Sequence, residues 1–276
     1  MKLQTVVNIN TAPFLIEKSS RVLVVGSCFA ENIAGKLSKV EGAEVYNNPC
    51  GVVYNPLSVG RAVEIFKSGE KFSEQDLLHR DGLWHSMDFH GSFSGVDKDA
   101  VLKGINREAV DNIDIVIVTL GSAYVYFRDG RVVANCHKFP EKEFSRRRIS
   151  VEESLLALQK IAEAYPAAKF IVTLSPIRHL RDGLSENFVS KATLRVAIEE
   201  FCREDSSSRV YFPAYEILMD ELRDYRFTAE DMCHPTPQTV NYIWERFSEQ
   251  YLTTEYREAV LEALKRERHN AHRPLR

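Results

Sequence analysis

Three short apolar runs constrain this chain more than any other feature. Val22 to Val25, Ile113 to Leu120 and Lys169 to Leu174 are rich in β-branched residues, and each stops at a small polar turn: Gly26-Ser27, Gly121-Ser122 and Ser175-Pro176. An unbroken apolar run of this length suits a strand buried on both faces, as in a parallel sheet covered by helices. Segments of helical spacing separate the runs. Cys28 to Leu37 sets Phe29, Ile33 and Leu37 on one face, Asn55-Pro56 opens a helix reaching Lys67, and Asp97 to Asn112 is helical again. Ser150 and Glu153 form a capping box for a helix ending near Tyr165, and a further helix runs from Glu186 to about Arg203. Weaker strands are expected at Ala43 to Tyr46 and Val210 to Ala214. Alternating strands and helices specify a three-layer α/β/α sandwich on a mostly parallel sheet of about five strands.

No repeat or low-complexity linker divides the chain, so residues 1–276 read as one domain with additions. Residues before Arg21 form an extended arm packed on it. A loop at about 72–96 holds Trp84, His85, Asp88 and His90, and a loop of that length in a compact domain is more often functional than idle. Alternation around Asp129-Gly130 predicts a hairpin at about 124–134. Everything after DMCHPT reads as helical, including a tail at about 251–276.

Charge and composition exclude several classes. The net charge of −3 gives no electrostatic reason to expect nucleic acid or an acidic membrane as partner, although the tail from Lys265 to Arg276 is locally basic. The start MKLQTVVNIN lacks the apolar core of a signal peptide, and no run of about 18 apolar residues exists, so a cytoplasmic location is expected. Five scattered cysteines without a CxxC pair argue against a disulfide framework and a structural zinc site. No second glycine follows Gly26 at dinucleotide spacing, and Gly35-Lys36 lacks a phosphate-loop context. No cofactor is expected.

Chemistry concentrates in two stretches, Gly26-Ser27 and Asp231-Met232-Cys233-His234. A serine is a weak nucleophile until a base takes its proton, and the base must be held in one tautomer by a third group. An Asp and a His three apart in a tight turn supply both. Ser27 also fits a bland role as helix N-cap, Asp231 a turn cap, and His234 a hydrogen-bonding histidine.

The stretch VGSCFAENIAGKL from Val25 resembles the signature of the GSCFA family, which is similar to the SGNH (GDSL-type) esterases and acyltransferases. NPCGVVYNPLS, TLGSAYVY, ANCHK, SPIRH and YRFTAEDMCHPT resemble the family in the same order. The resemblance implies an SGNH-hydrolase-like fold with flavodoxin-like strand order, Ser27 as nucleophile, His234 as base and Asp231 as its orienting acid. It implies an oxyanion hole from the N–H groups of Ser27 and Gly51 plus an asparagine amide after the strand ending at Leu120. There the chain departs from the pattern, because Ala123 occupies that position. Losing one such donor typically costs about 10²–10³ in rate. Asn55, Ser122 and His85 are the substitutes that the sequence offers.

The implied substrate is a small-molecule or carbohydrate ester, with water or another hydroxyl as acceptor. Two competing readings stay open: a non-catalytic binding module on the same fold, and a thiol hydrolase using Cys28 at the helix N-terminus. Arg178 and His179 should reach the carboxyl edge of the sheet and hold a polar or anionic substrate group. His85, Tyr124 and His137 are further substrate-binding candidates, with Trp84, Tyr126 and Phe127 as an aromatic platform. His85, Asp88 and His90 have ligand-like spacing, but nothing fixes a tetrahedral set, so no metal is expected.

Overall fold

The computed structural model describes residues 4–271. In chain order the first half contains β1 (Val22–Gly26), α1 (Cys28–Leu37), β2 (Val45–Asn47), α2 (Pro56–Ser68), β3 (Leu78–Arg80), β4 (Leu83–His85) and α3 (Lys98–Ile105). Then come β5 (Ile115–Leu120), β6 (Tyr124–Arg128), β7 (Arg131–Val133), β8 (Ser145–Arg148), α4 (Val151–Ala164), β9 (Lys169–Leu174) and α5 (Gly183–Glu204). The chain continues through β10 (Arg209–Phe212), a single turn α6 (Ala214–Glu216), α7 (Pro237–Tyr251) and α8 (Thr254–Ala271).

The central sheet is fully parallel in the order β10-β9-β5-β1-β2, which is the flavodoxin-like arrangement. Period-two alternation gives each strand two buried faces. Val22, Val24, Ile115, Ile117 and Ile171 pack with Phe29, Ile33, Phe247 and Tyr251 of α1 and α7. Leu23, Val25, Val116, Val118 and Val172 pack with Val63, Phe66, Leu158, Leu194 and Phe201 of α2, α4 and α5. The three-layer α/β/α architecture follows directly. From β1 the chain steps to β2 on one side and then returns to β5 on the other. The carboxyl ends of β1 and β5 therefore flank the switch point, where open α/β sheets place a crevice.

Several boundaries differ from the sequence expectation, each for a local reason. Helix α3 stops at Ile105, not Asn112, because the Asn106 side chain leaves the helical path to bridge Phe72, accepting from its N–H at 2.6 Å and donating to its carbonyl at 2.9 Å. The expected loop at 72–96 contains the β3–β4 hairpin, turned by Asp81 and Gly82 at φ 50° and 76°. The hairpin at 124–134 forms as expected, and β8 adds a third antiparallel strand to it. Helix α5 begins at Gly183, three residues before Glu186.

The N-terminal arm is fastened at both ends of its described length. Ile16 bridges Leu252, and Val7 donates to the buried Glu221 carboxylate at 2.7 Å. Residues 272–276 of the expected helical, basic tail lie outside the described residues. Among the described residues no helix is long and apolar enough to cross a membrane.

Candidate active site

Ser27 follows β1 directly and caps α1, with its hydroxyl accepting the Phe29 N–H at 3.3 Å. Gly26 makes this junction possible. Its φ is +134°, and a Cβ there would lie 2.1 Å from the Thr119 carbonyl oxygen of β5. Ser27 is 1% exposed. Its backbone N–H, implied above as an oxyanion donor, donates to Thr119 O at 3.0 Å, and the Gly51 N–H donates to Asn48 O at 2.7 Å. Both are engaged in this state.

The substitutes for the missing amide are engaged as well. Asn55 caps α2, its Oδ1 accepting from Ser58 N at 2.8 Å and its Nδ2 donating to Ser58 Oγ at 3.0 Å. Ser122 Oγ accepts from Tyr124 N at 3.1 Å and lies 3.3 Å from Ser190 Oγ. Ala123 is fully buried, and its N–H donates to Ser190 Oγ at 2.8 Å.

Asp231 and His234 form a complete dyad. One carboxylate oxygen accepts the backbone N–H groups of Cys233 and His234, each at 2.9 Å, and the other pairs with His234 Nδ1 at 2.5 Å. Those N–H donors, with the imidazole, hold the Asp231 carboxyl down to about 2. The carboxylate is therefore the acceptor, which puts the imidazole proton on Nδ1 and leaves Nε2 as the basic nitrogen. The loop bearing the dyad is docked beside the end of β9: Arg178 N–H donates to Cys233 O at 3.2 Å and Arg178 Nη2 to Met232 O at 2.6 Å. Arg178, expected to hold substrate, donates to the loop that carries Asp231 and His234.

Ser27 and His234 are not hydrogen-bonded to one another among the described residues; the hydroxyl is turned to Phe29 N. Ser27 follows β1, whereas the His234 loop, which lies between β10 and α7, is docked beside the segment after β9, two strand spacings or roughly 10 Å across the sheet. The His234 side chain is 53% exposed on its loop. Catalytic hydrogen bonds are commonly long in unliganded enzymes and tighten on binding.

His179 lines the same edge. Its backbone N–H donates to Asn187 Oδ1 at 2.9 Å, and its ring meets Tyr54 edge-on at 5.5 Å. A Cβ on Gly121 would lie 2.8 Å from His179 Nε2, so this glycine makes room for the ring. Burial pushes His179 down to about 4, helped by the charges of Lys191, His234 and Arg146. Tyr124 donates to Glu186 at 2.7 Å beneath the Arg146 guanidinium, 3.9 Å from the ring centroid, and the Glu186 bond raises the phenol above its usual range.

His85 and His137 come together with each other instead, at 4.6 Å between centroids. His85 Nδ1 pairs with Ser94 Oγ at 2.7 Å and His137 Nε2 donates to Ser86 O at 2.8 Å, contacts that belong to the insertion and not to Ser27 or the dyad. Trp84 meets His79 at a tilt, 4.7 Å between centroids, in the same insertion and not beside Tyr124, which pairs with Glu186 and Arg146. Asp88 is bonded to Arg61 at 3.3 Å, and among the described residues no group of three or more His, Cys, Asp or Glu could hold a metal ion. The Cys28 thiol is raised by burial and by Glu31, opposite to what a thiolate nucleophile needs.

Sequence reasoning missed the contribution of α5. Lys191, 2% exposed, donates to Ser175 O at 2.8 Å and sits 5.2 Å over the Tyr215 ring. Burial pushes its ammonium down to about 7, with Glu216 and Cys28 opposing. A lysine within an amphipathic helix carries no local sign of burial, so only the packing identifies it.

A parallel α/β sheet with a serine at the β1–α1 junction and an Asp-His dyad at the same edge defines the class of the molecule. Residues 21–247 match the model of the GSCFA family, and the chain belongs to that family. Comparison with curated proteins returned no match. A solved structure described as a candidate platelet activating factor from Streptococcus pneumonia is similar at 11% identity, covering 83% of this chain and 84% of that chain, with a TM-score of 0.39. That likeness is too distant to carry an argument.

Proposed function

We propose that this protein is a serine-dependent acyl-ester hydrolase or acyltransferase of SGNH type, acting on a small-molecule ester such as an O-acylated carbohydrate. The observation that carries this reading is the dyad: Asp231 fixes the proton of His234 on Nδ1 across 2.5 Å and leaves Nε2 basic. In the reaction Ser27 Oγ bonds to the acyl carbon, its proton passes to His234 Nε2, and the carbonyl π pair moves onto oxygen. Collapse restores the carbonyl and breaks the bond to the leaving alcohol, which takes the proton from His234. Water or a second hydroxyl then repeats the sequence on the acyl-serine and releases the acid or the new ester. The step needs His234 Nε2 within hydrogen-bond reach of Ser27 Oγ, a contact that substrate binding must complete.

Labelling with a serine-reactive fluorophosphonate tests this reading. Labelling of the wild type that disappears in Ser27→Ala supports it. Labelling that survives the substitution, or never occurs, points to a binding module on this fold. A specific observation favours that second reading: the Ser27 hydroxyl is buried and caps α1, accepting the Phe29 N–H. Assays with acetylated sugars and short acyl esters, with and without an acceptor alcohol, separate hydrolase from transferase.

A further inference from the structure

We propose that the side-chain amide of Asn48 is the oxyanion donor of this site, supplying the N–H that Ala123 lacks. The proposal rests on the acyl-transfer reading above. Asn48 follows β2 and is 5% exposed. Its backbone N–H donates to Val24 O at 2.8 Å, its carbonyl accepts from Gly51 N at 2.7 Å, and its Oδ1 accepts from Gly26 N at 2.8 Å. Only Nδ2 is left, buried and without a partner.

The amide cannot be turned to relieve this. Gly26 N–H is a donor and needs an oxygen, so a flipped Asn48 would set two donors against each other. The bond to the N–H of Gly26, the residue before Ser27, therefore fixes the Asn48 amide at the end of β1 with Nδ2 unpaired. Burying a donor unpaired is costly, and most buried polar atoms in folded proteins have partners. Two other unpartnered buried atoms mark the same edge: Thr119 Oγ1, on the residue whose carbonyl accepts from Ser27 N, and His179 Nε2 against Gly121. Unpartnered polar atoms on three segments of the same sheet edge give a polar ligand groups to bind there.

Acyl transfer supplies that ligand. When Ser27 Oγ bonds to the acyl carbon and the π pair moves to the carbonyl oxygen, that oxygen gains a charge which a fixed, previously unpaired donor stabilises more than it stabilises the neutral ester. The Ser27 and Gly51 N–H groups are already engaged, and Asn48 Nδ2, an obligate donor whatever the tautomer of His179, costs no existing bond. A left-handed Asn48 with φ 40° could instead be explained by backbone geometry alone.

Asn48→Asp separates the two explanations, because aspartate keeps an acceptor for Gly26 N–H and tolerates the same φ but has no amide donor. The expected result is a fall in kcat of about 10²–10³ with KM nearly unchanged, and slower fluorophosphonate labelling of Ser27 by a comparable factor. Wild-type labelling at Ser27 with unchanged rates in a folded Asn48→Asp overturns the Asn48 proposal and leaves the acyl-transfer reading standing. Absence of Ser27 labelling in the wild type overturns both. Should Asn48→Asp fail to fold, selective ¹⁵N labelling of asparagine in the wild type gives a second measurement. The Asn48 side-chain amide protons are expected to move downfield on formation of the Ser27 adduct, and no movement overturns the proposal.

Discussion

Asp231 Oδ2 and His234 Nδ1 lie 2.5 Å apart within one tight turn, so a single loop fixes the carboxylate and the imidazole relative to each other. Asp231→Asn keeps an oxygen for the Cys233 and His234 backbone N–H groups but can offer an amide proton to Nδ1, which would move the imidazole proton to Nε2 and abolish the base. A loss in kcat on the order of 10²–10⁴ is expected, with the fold retained. Because the carboxyl is held at about 2, below its ordinary 3.8, the stabilisation it contributes is complete above pH 3.8 and lost only as pH falls toward 2. Steady-state kinetics with circular dichroism of the variant check the first expectation, and acid titration of the dyad by NMR checks the second.

Much of this was legible in the chain. Val22 to Val25, Ile113 to Leu120 and Lys169 to Leu174 announce strands buried on both faces; the second starts at Ile115, and the structure buries nearly every residue of the three strands. The helix from Cys28 to Leu37 and the capping box at Ser150 and Glu153 are set by local chemistry and appear as read. The β3–β4 hairpin had a local signal too, since Asp81-Gly82 is a favoured two-residue turn, but the flanking strands are three residues each and too short for alternation to register. Strand β8, Ser145–Arg148, is a run of charges that pairs as a strand because β6 offers it an edge, a tertiary cause no local pattern carries. In the site, Ser27 and the DxxH turn are local motifs. Lys191, Asn48 and the docking role of Arg178 depend on contacts across strands.

Lys191 makes stability depend on pH in a defined direction. Its folded pKa of about 7 lies below the usual 10.5, so between these values the unfolded chain binds the proton that the native state has given up. Stability should therefore rise with pH across that window. Lys191→Met removes the titrating group and should flatten this slope, while matching or exceeding wild-type stability below pH 7, where burying the ammonium is most costly. His179 acts at the other end: with a native value of about 4 against an ordinary 6.5, it weakens the fold as pH falls through that range. Urea unfolding of wild type and Lys191→Met at pH 6, 7.5 and 9 tests the alkaline window; a slope unaltered by the substitution would refute the assignment.

Glu221 secures the N-terminal arm. Its side chain is fully buried and receives Arg246 Nη1 at 2.6 and 2.7 Å, the Tyr242 hydroxyl and Val7 N–H, while Arg246 Nη2 donates to Val7 O at 2.8 Å. Glu221→Gln leaves Arg246, 18% exposed, without its countercharge. Breaking one side of such a pair typically costs about 3–5 kcal/mol, which at this chain length corresponds to roughly 6–20 °C in Tm. Calorimetry should show the loss, and hydrogen exchange should rise at Val7. Adding Arg246→Met should recover a large part of it, since the double variant leaves no unpaired charge.

Two glycines should respond to alanine with opposite signs. At Gly26 the φ of +134° is closed to side chains, and a Cβ would lie 2.1 Å from Thr119 O, a backbone atom fixed in the β1–β5 ladder. Gly26→Ala must push β1 and β5 apart beneath Ser27, and a loss of about 3 kcal/mol or more is expected, together with the Ser27 geometry. Gly60 lies inside α2, has an ordinary helical φ, and a Cβ there meets nothing within 4 Å. Gly60→Ala should stabilise by about 0.5–1 kcal/mol, because alanine has less backbone freedom to lose and fills no occupied space. Parallel denaturation of the two variants and the wild type reads both signs at once. A tolerated Gly26→Ala would mean that the strand-to-helix junction does not require the close approach on which the position of Ser27 depends.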